Sequence, residues 1–374
     1  MQITRVEAFP LRYPEPNDNQ NIRYVTLARV ETDDGAVGWG ECIAQWPESA
    51  QAVKTIVERG LAPVLLGRDP RETESIWLAM KAHTWWYGEG GIASFAISAL
   101  DMACWDLKGK AFGVPLYQLL GGKVHTRLRA CASTHPNKAT IDALAAELAR
   151  YAQEGYTAVK VGFGKRGEAK LGVDPKRDIA FVQAVREAIG PHVDLMVDIG
   201  NGVRWDTAHA IRMAREFEKF QIRWYEEPLH PNNEDGYARL RHAVDLPIAT
   251  GEREWTVAGY RRLIRSGVAE IIMVDPGRAE GVTGFQKVIQ LTAQPGLYFN
   301  AHTWSSAINT AASIHLTASA ANYIVFELKP LPSPMQHELV TNPIEQKDGW
   351  VAIPEGPGLG VEVDERVVRK YSFD

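Results

Sequence analysis

The sequence holds no apolar run near the roughly 18 residues that span a bilayer, so no membrane partner is expected. Its opening, MQITRVEAFPLRYPEP, has neither the basic-then-apolar layout of a secretory signal nor an amphipathic transit pattern. Cysteine is scarce: Cys42, Cys104 and Cys131 are odd in number and lack the spacing of a metal site. Reduced thiols in a cytoplasm are the plain expectation. There is no basic block and no interleaving of basic with aromatic residues. The net charge of −5 is spread along the chain, which excludes nucleic acid as an expected partner. The short Lys165-Arg166 pair reads as a solvated loop.

What is present is 374 residues with 45% apolar content, about right for a barrel with an added domain. The first 40 or so residues read as strands, with a hairpin signal at Asp33-Asp34-Gly35. From Ser49 to about Gly121 the pattern is helical, and IASFAISALDMACWDLKGKAFG carries a broad apolar face with a basic, glycine-marked end. Strands first and helices after imply an α+β unit, with Leu120-Gly121-Gly122 as a hinge.

From about residue 126 short apolar strands alternate with amphipathic helices. The strand candidates are LRACAS, TAVKVG, DLMVDI, IRWYEE, LPIATGE, EIIMVDP, LYFNAH and YIVFE. That is the order of a (β/α)8-type, TIM-like barrel. An open doubly wound sheet would carry a glycine-rich phosphate turn after its first strand, and none is seen. The expected organisation is an N-terminal α+β capping domain (1–125), a (β/α) barrel (126–327), and a C-terminal segment (328–374) that packs back on the cap.

Barrel chemistry sits at the C-terminal ends of the strands. Those ends supply Lys160, Asp198, Glu226, Glu252, Asp275, His302 and Glu327, spaced from Asp198 onward by about one βα unit each. A charge ending one strand means little; a series in phase is hard to produce by chance. Asp198, Glu226 and Glu252 would repel in one cleft unless a hard cation lay between them. All-oxygen ligands favour Mg²⁺ or Mn²⁺ over zinc, and three protein ligands leave positions for substrate oxygens. Asp275 and His302 on adjacent strands suit a general base whose imidazole tautomer is fixed by a carboxylate. Glu327 could hydrogen-bond a developing oxyanion if protonated, or be a salt-bridged rim glutamate. A glycosidase reading of the paired carboxylates explains neither His302 nor Asp275.

These residues resemble the enolase superfamily, and within it the mandelate racemase subgroup. The resemblance runs over nearly the whole chain: TDDGAVGWGE, WDLKGKAFGVPLYQLLGG, WYEEP, TGE at 250–252, VDP followed by GVTG, NAH at 300–302, and IPEGPGLGVEVD. It implies that Asp198, Glu226 and Glu252 are Mg²⁺ ligands, with Glu227 behind them. It implies that Asp275 and His302 form the subgroup's dyad and that Glu327 is its carboxylic electrophile. The N-terminal unit would be a cap whose loops around Pro14–Arg23 and Trp46–Ser49 select a small hydroxy-acid or sugar-acid substrate. A homo-oligomer, dimer or octamer, is likewise implied.

Two departures set the expected reaction. The subgroup's second barrel strand carries Lys-x-Lys, whose second lysine is the base facing the histidine; here it reads Lys160-Val161-Gly162. Residues i and i+2 share a strand face, so Gly162 leaves a gap where an ammonium would stand. The usual Asp-Ala-Asn reads Asp198-Ile199-Gly200, with Asn201 displaced by one. A racemase needs two bases, whereas β-elimination of water needs one, because His302 could return its proton to the departing oxygen. Lys160 would contact Glu226 or the substrate carboxylate. The expected activity is therefore an acid sugar dehydratase, a lyase giving a 2-keto-3-deoxy acid and limited to a single Cα configuration. Alternatives are an epimerase or racemase, a sugar-lactone cycloisomerase, and a non-catalytic sugar-acid-binding relative.

Overall fold

The computed structural model describes residues 1–200 and 202–374. Strands β1 (Ile3–Glu15), β2 (Asn21–Thr32) and β3 (Val37–Ile43) pair antiparallel in chain order. The β2–β3 hairpin turns at Asp33-Asp34-Gly35, where Gly35 takes a φ of +81° and the Thr32 hydroxyl donates to Asp34 Oδ1 at 2.6 Å. Helices α1 (Pro47–Thr55), α2 (Ala62–Leu65), α3 (Thr73–Thr84), α4 (Ile92–Phe112) and α5 (Leu116–Leu119) follow. The long helix α4 lies directly on β3 because Gly40 lets it: a Cβ there would stand 1.9 Å from the Ala99 carbonyl oxygen. Lys110 lies in its last turn, and Gly113 ends it in the left-handed region.

The barrel strands are β4 (Arg127–Thr134), β5 (Ala158–Gly162), β6 (Asp194–Asp198), β7 (Trp224–Glu226), β8 (Ile248–Thr250), β9 (Ile271–Val274), β10 (Tyr298–Ala301) and β11 (Phe326–Leu328). They run parallel in order from β4 to β10, and β11 pairs back with β4. Between β10 and β11 a Phe299–Tyr323 bridge completes the ring. The intervening helices are α6 (Ile141–Gln153), α7 (Pro175–Ile189), α8 (Thr207–Phe217), α9 (Glu234–Ala243), α10 (Val257–Ser266), α11 (Gly281–Ala293) and α12 (Ala307–Ala318). Most start on a side-chain cap written in the sequence: Thr140, Asp174, Asp206, Asn233, Thr256 and Ser306 each accept from a first-turn N–H. The strands are apolar on both faces because helices cover the outside while Met196, Trp224 and Met273 fill the inside.

After β11 the chain leaves the ring. Strands β12 (Gln346–Lys347) and β13 (Trp350–Ala352) follow, and β13 runs antiparallel beside β4. Helix α13 (Glu365–Tyr371) then returns to the first sheet, where the Phe373 N–H donates to the Pro10 carbonyl.

The cap is docked on the barrel rim by buried polar contacts. Glu41 on β3 accepts from the backbone N–H groups of Ser306 (3.0 Å) and Asn309 (3.2 Å) and from the Ser305 and Ser306 hydroxyls, so a carboxyl sits on the N-terminus of α12. Glu15 pairs with buried Lys329 at 2.6 Å. These contacts hold the ends of β1 and β3 over the barrel mouth.

Candidate active site

Strand register delivers the carboxylates. Asp198 and Glu226 end β6 and β7 and are paired residues of that ladder, while Glu252 follows β8. One oxygen from each lies within 4.8 Å of the other two. Glu226 is fully buried; Oε2 accepts from Trp224 Nε1 at 2.8 Å, and Oε1 lies 2.9 Å from Lys160 Nζ. The same ammonium is 2.8 Å from Glu327 Oε1 and 3.8 Å from Asp198 Oδ2. Burial works against its charge, but Glu226, Glu327 and Asp198 together hold its pKa well above the usual value. Lys160 thus sits as a cation among three carboxylates.

One ammonium does not balance this acidic cluster. Burial and then repulsion from Glu226 push Asp198 well above the ordinary carboxylate range. Glu252 goes the other way: burial opposes its charge, yet His302, Arg253 and Lys160 hold it down at about 2. An all-oxygen set with excess negative charge, open on one side to a cavity, fits a hard divalent ion. Arg253, which the sequence did not single out, steadies the set. Its Nη2 lies 3.2 Å from Glu252 Oε1, and its Nε donates to Glu227 Oε2 at 2.7 Å. Glu227 turns away from the cluster through a left-handed φ of +40°.

His302 and Asp275 meet as their positions on neighbouring strands led one to expect. His302 Nδ1 lies 2.7 Å from Asp275 Oδ2, while Asp275 Oδ1 accepts from the Gly277 N–H (2.8 Å) and Asn309 Nδ2 (3.2 Å). With Nδ1 engaged by Asp275, the nitrogen left for chemistry is Nε2. That Nε2 is 3.5 Å from Glu252 Oε2. Burial would lower this imidazole's pKa, but Glu252 and Asp275 outweigh it and raise it to about 9. Glu327 is fully buried and raised, chiefly by that burial. Its Oε1 lies 2.8 Å from Lys160 Nζ, so the buried carboxyl is ion-paired.

These groups line a cavity of about 420 Å³ whose roof is the cap: Arg23, Ile43, Gln45 and Trp46 reach into it. Both stretches named from the sequence contribute, through Arg23 and Trp46. The gap expected at Gly162 is filled. A Cβ on Gly162 would stand 3.3 Å from His135 Cδ2, so the imidazole of His135, one residue past β4, packs against this glycine. The sequence reading missed His135, although it continues the β4 register (Ser133 beside Lys160, Thr134 beside Val161) to the level of Gly162 and Asp198. Nor is Lys165 simply solvated: its Nζ lies 3.3 Å from buried Asp18 on the cap, and it lines the cavity. Gly200 takes a φ of +62°; the displaced Asn201 lies outside the described residues.

A barrel with carboxylates ending β6 and β7 and following β8, a histidine–aspartate pair on β9 and β10, and an α+β cap over the mouth defines the enolase class of fold. The models of two families match the chain: "Mandelate racemase / muconate lactonizing enzyme, N-terminal domain" over residues 15–121, and "Enolase C-terminal domain-like" over residues 143–367. The chain belongs to the enolase superfamily, in its mandelate racemase and muconate lactonizing enzyme family. It is 31% identical to a D-galactarolactone cycloisomerase of Agrobacterium fabrum, over 99% of each chain. It is 30% identical to a D-gluconate dehydratase of Thermoproteus tenax, over 99% of this chain and 74% of that one. Among solved structures, a racemase from Streptomyces coelicolor A3(2) with bound magnesium superposes with a TM-score of 0.87 at 29% identity, over 99% of this chain and 100% of that one. No helix among the described residues is long and apolar enough to cross a membrane.

Proposed function

We propose that this chain is a Mg²⁺-dependent lyase that removes the α-proton of a sugar acid and eliminates water to give a 2-keto-3-deoxy acid. The observation that carries the reading is the placement of His302 Nε2 3.5 Å from Glu252, beside a carboxylate set within 4.8 Å. This proximity supports reading His302 as a base beside the place where a substrate carboxylate would be held. Asp198, Glu226 and Glu252 would hold Mg²⁺, or Mn²⁺ in its place, whose charge offsets the second negative charge that builds on the substrate carboxylate.

The remaining work falls to side chains. With a divalent ion offsetting the Glu252 charge that raises His302, the imidazole would be free to take the α-proton at Nε2, and Asp275 fixes the tautomer and shares the positive charge that forms. Lys160 presents a cation to the same oxygens. Glu327, whose burial favours the protonated form, would donate a hydrogen bond to the oxygen that gains charge. The cap roof excludes water and reads the distal hydroxyls. The test is a screen of hexonates and hexarates with Mg²⁺ for 2-keto product. Product that forms with Mg²⁺ and vanishes with chelator is expected; full turnover in chelator would end the metal assignment.

One observation favours a second reading within the family. The galactarolactone cycloisomerase matches over 99% of each chain, and an isomerisation that needs one base would fit the same site. Deuterium entering Cα without 2-keto product would move the assignment to an isomerase.

A further inference from the structure

His135 is built like His302. Its Nδ1 lies 3.1 Å from Oδ1 of Asp18, a cap residue that is 2% exposed. Asp18 Oδ2 is engaged by Arg23 through Nε (3.1 Å) and Nη2 (3.0 Å), and by Lys165. Those cations and hydrogen bonds hold the Asp18 carboxyl well below its usual range although burial opposes them, so it is ionised and can only accept. The hydrogen between Asp18 and His135 therefore sits on Nδ1, and the lone pair lies on Nε2. The ring is clamped as well as paired. It stacks on Trp304 with centroids 4.0 Å apart and planes 15° apart, and Trp304 is tied down by Nε1 donating to Ser133 Oγ at 2.8 Å. Among the described residues Nε2 has no hydrogen-bond partner, and the residue lines the cavity. Burial, with Arg23 and Lys165 adding to it, lowers this imidazole's pKa to about 4 against the pull of Asp18, so it is neutral at working pH.

The two histidines flank the carboxylates from opposite ends. His302 stands by Glu252; His135 packs on Gly162, whose Cβ position is 3.8 Å from Asp198 Oδ2. In strand order Asp198 and Glu252 are the outer members of the set.

We propose that His135 is a second catalytic residue, a proton-transfer group serving the face of the substrate α-carbon opposite His302, with Asp18 as its positioning residue. This rests on the sugar-acid reading of the site. With one ring neutral and the other an imidazolium at the start, the neutral Nε2 takes the α-proton, the C–H electron pair passing into the carboxylate as an enediolate. Return of a proton from the other imidazolium to the same carbon gives the C2 epimer. Transfer to a β-hydroxyl instead breaks its C–O bond, releases water and leaves an enol. The enol becomes the 2-keto acid when C3 takes up the proton first removed and the enol oxygen gives up its own, which restores both rings. The gap at Gly162 is thus replaced by a base from another strand, and the site serves two Cα configurations, where the sequence implied one.

The experiment offers C2-epimer pairs of hexonates and hexarates, gluconate with mannonate among them, to the wild type, His302→Asn and His135→Asn with Mg²⁺ in deuterated water, and follows C2 by NMR. The wild type is expected to exchange or consume both members of an active pair. His302→Asn should lose one member by at least about a hundredfold while the other falls less than about tenfold, and His135→Asn should show the reverse. Wild-type levels on both epimers in His135→Asn, or a wild type that acts on one epimer alone, would overturn the proposal. If the wild type acts on no pair, the sugar-acid reading fails separately, and the ring itself decides. Nitrogen NMR of His135 should then show a neutral, Nδ1-protonated imidazole from pH 6 to 8, lost in Asp18→Asn. A hydrogen on Nε2 in the wild type would overturn the assignment.

Discussion

The Asp275–His302 and Asp18–His135 pairs are alike in bonding and unlike in construction. The first is built wholly on the barrel: both residues follow neighbouring parallel strands, and β9–β10 pairing alone brings them to 2.7 Å. The second joins residues 117 positions apart in two structural units, and exists only because Glu41, Glu15 and Lys329 seat the cap on the rim. Their electrostatics differ accordingly. Burial opposes the charge on both rings; at His302 the acidic cluster outweighs it and the pKa is raised to about 9, while at His135 burial, with Arg23 and Lys165 adding to it, outweighs Asp18 and the pKa is lowered to about 4. A barrel-built dyad is fixed by backbone hydrogen bonds. A dyad that spans two units depends on docking, and docking can be perturbed from outside the site.

The largest expected effect tests the barrel dyad. Asp275→Asn should cost about 10⁴-fold in turnover by misplacing the imidazole hydrogen, as in other histidine–aspartate pairs. Mg²⁺ binding by calorimetry should stay near wild type; a loss under tenfold would break the comparison at its stronger side.

Next comes pH. In the metal-free protein the two rings should tilt stability in opposite directions. His135 titrates at about 4 folded against about 6.5 unfolded. Between those values only the unfolded chain binds its proton, so stability rises with pH across that window, by on the order of 3 kcal/mol. His302 is raised to about 9, so its contribution is whole below pH ~6.5 and is lost as pH climbs to about 9. Denaturant midpoints should lose the acid-side slope in His135→Asn and the alkaline-side slope in His302→Asn. Identical profiles for both variants would mean that the two environments do not differ as described.

A smaller effect is expected one layer out. Arg253→Met should weaken Mg²⁺ binding about 10- to 100-fold, because it frees Glu252 and leaves Glu227 unpaired, whereas Asp18→Asn should leave that affinity alone. The smallest is at the roof. Trp46 is 62% exposed yet lines the cavity, so Trp46→Ala should raise KM about tenfold while folding stability stays within about 0.5 kcal/mol. A shift in kcat of similar size would show that the roof also positions the reacting atoms.

Much of the site was legible before any coordinates. The barrel period placed Asp198, Glu226, Glu252, Asp275, His302 and Glu327 on one rim, because parallel strands put equivalent side chains at equivalent heights. For Lys160 the contact with Glu226 was among those expected, whereas its contact with Glu327 was not. Gly162 misled, since a missing side chain in sequence was read as missing matter in space. Close packing fills such a hole from wherever the fold supplies atoms, and here the supplier is His135 from the adjoining strand.

The sequence by itself determined what is periodic: the alternation of strands and helices, the helix caps, the Asp33-Asp34-Gly35 hairpin and the acidic rim. These depend on spacing along the chain, which a single sequence displays. Tertiary structure alone decided which histidine stands beside Gly162, which carboxylate holds it and how Arg253 braces Glu252. Such contacts join loops and separate units whose side-chain directions no repeat constrains, and they form only when the cap is seated on the barrel.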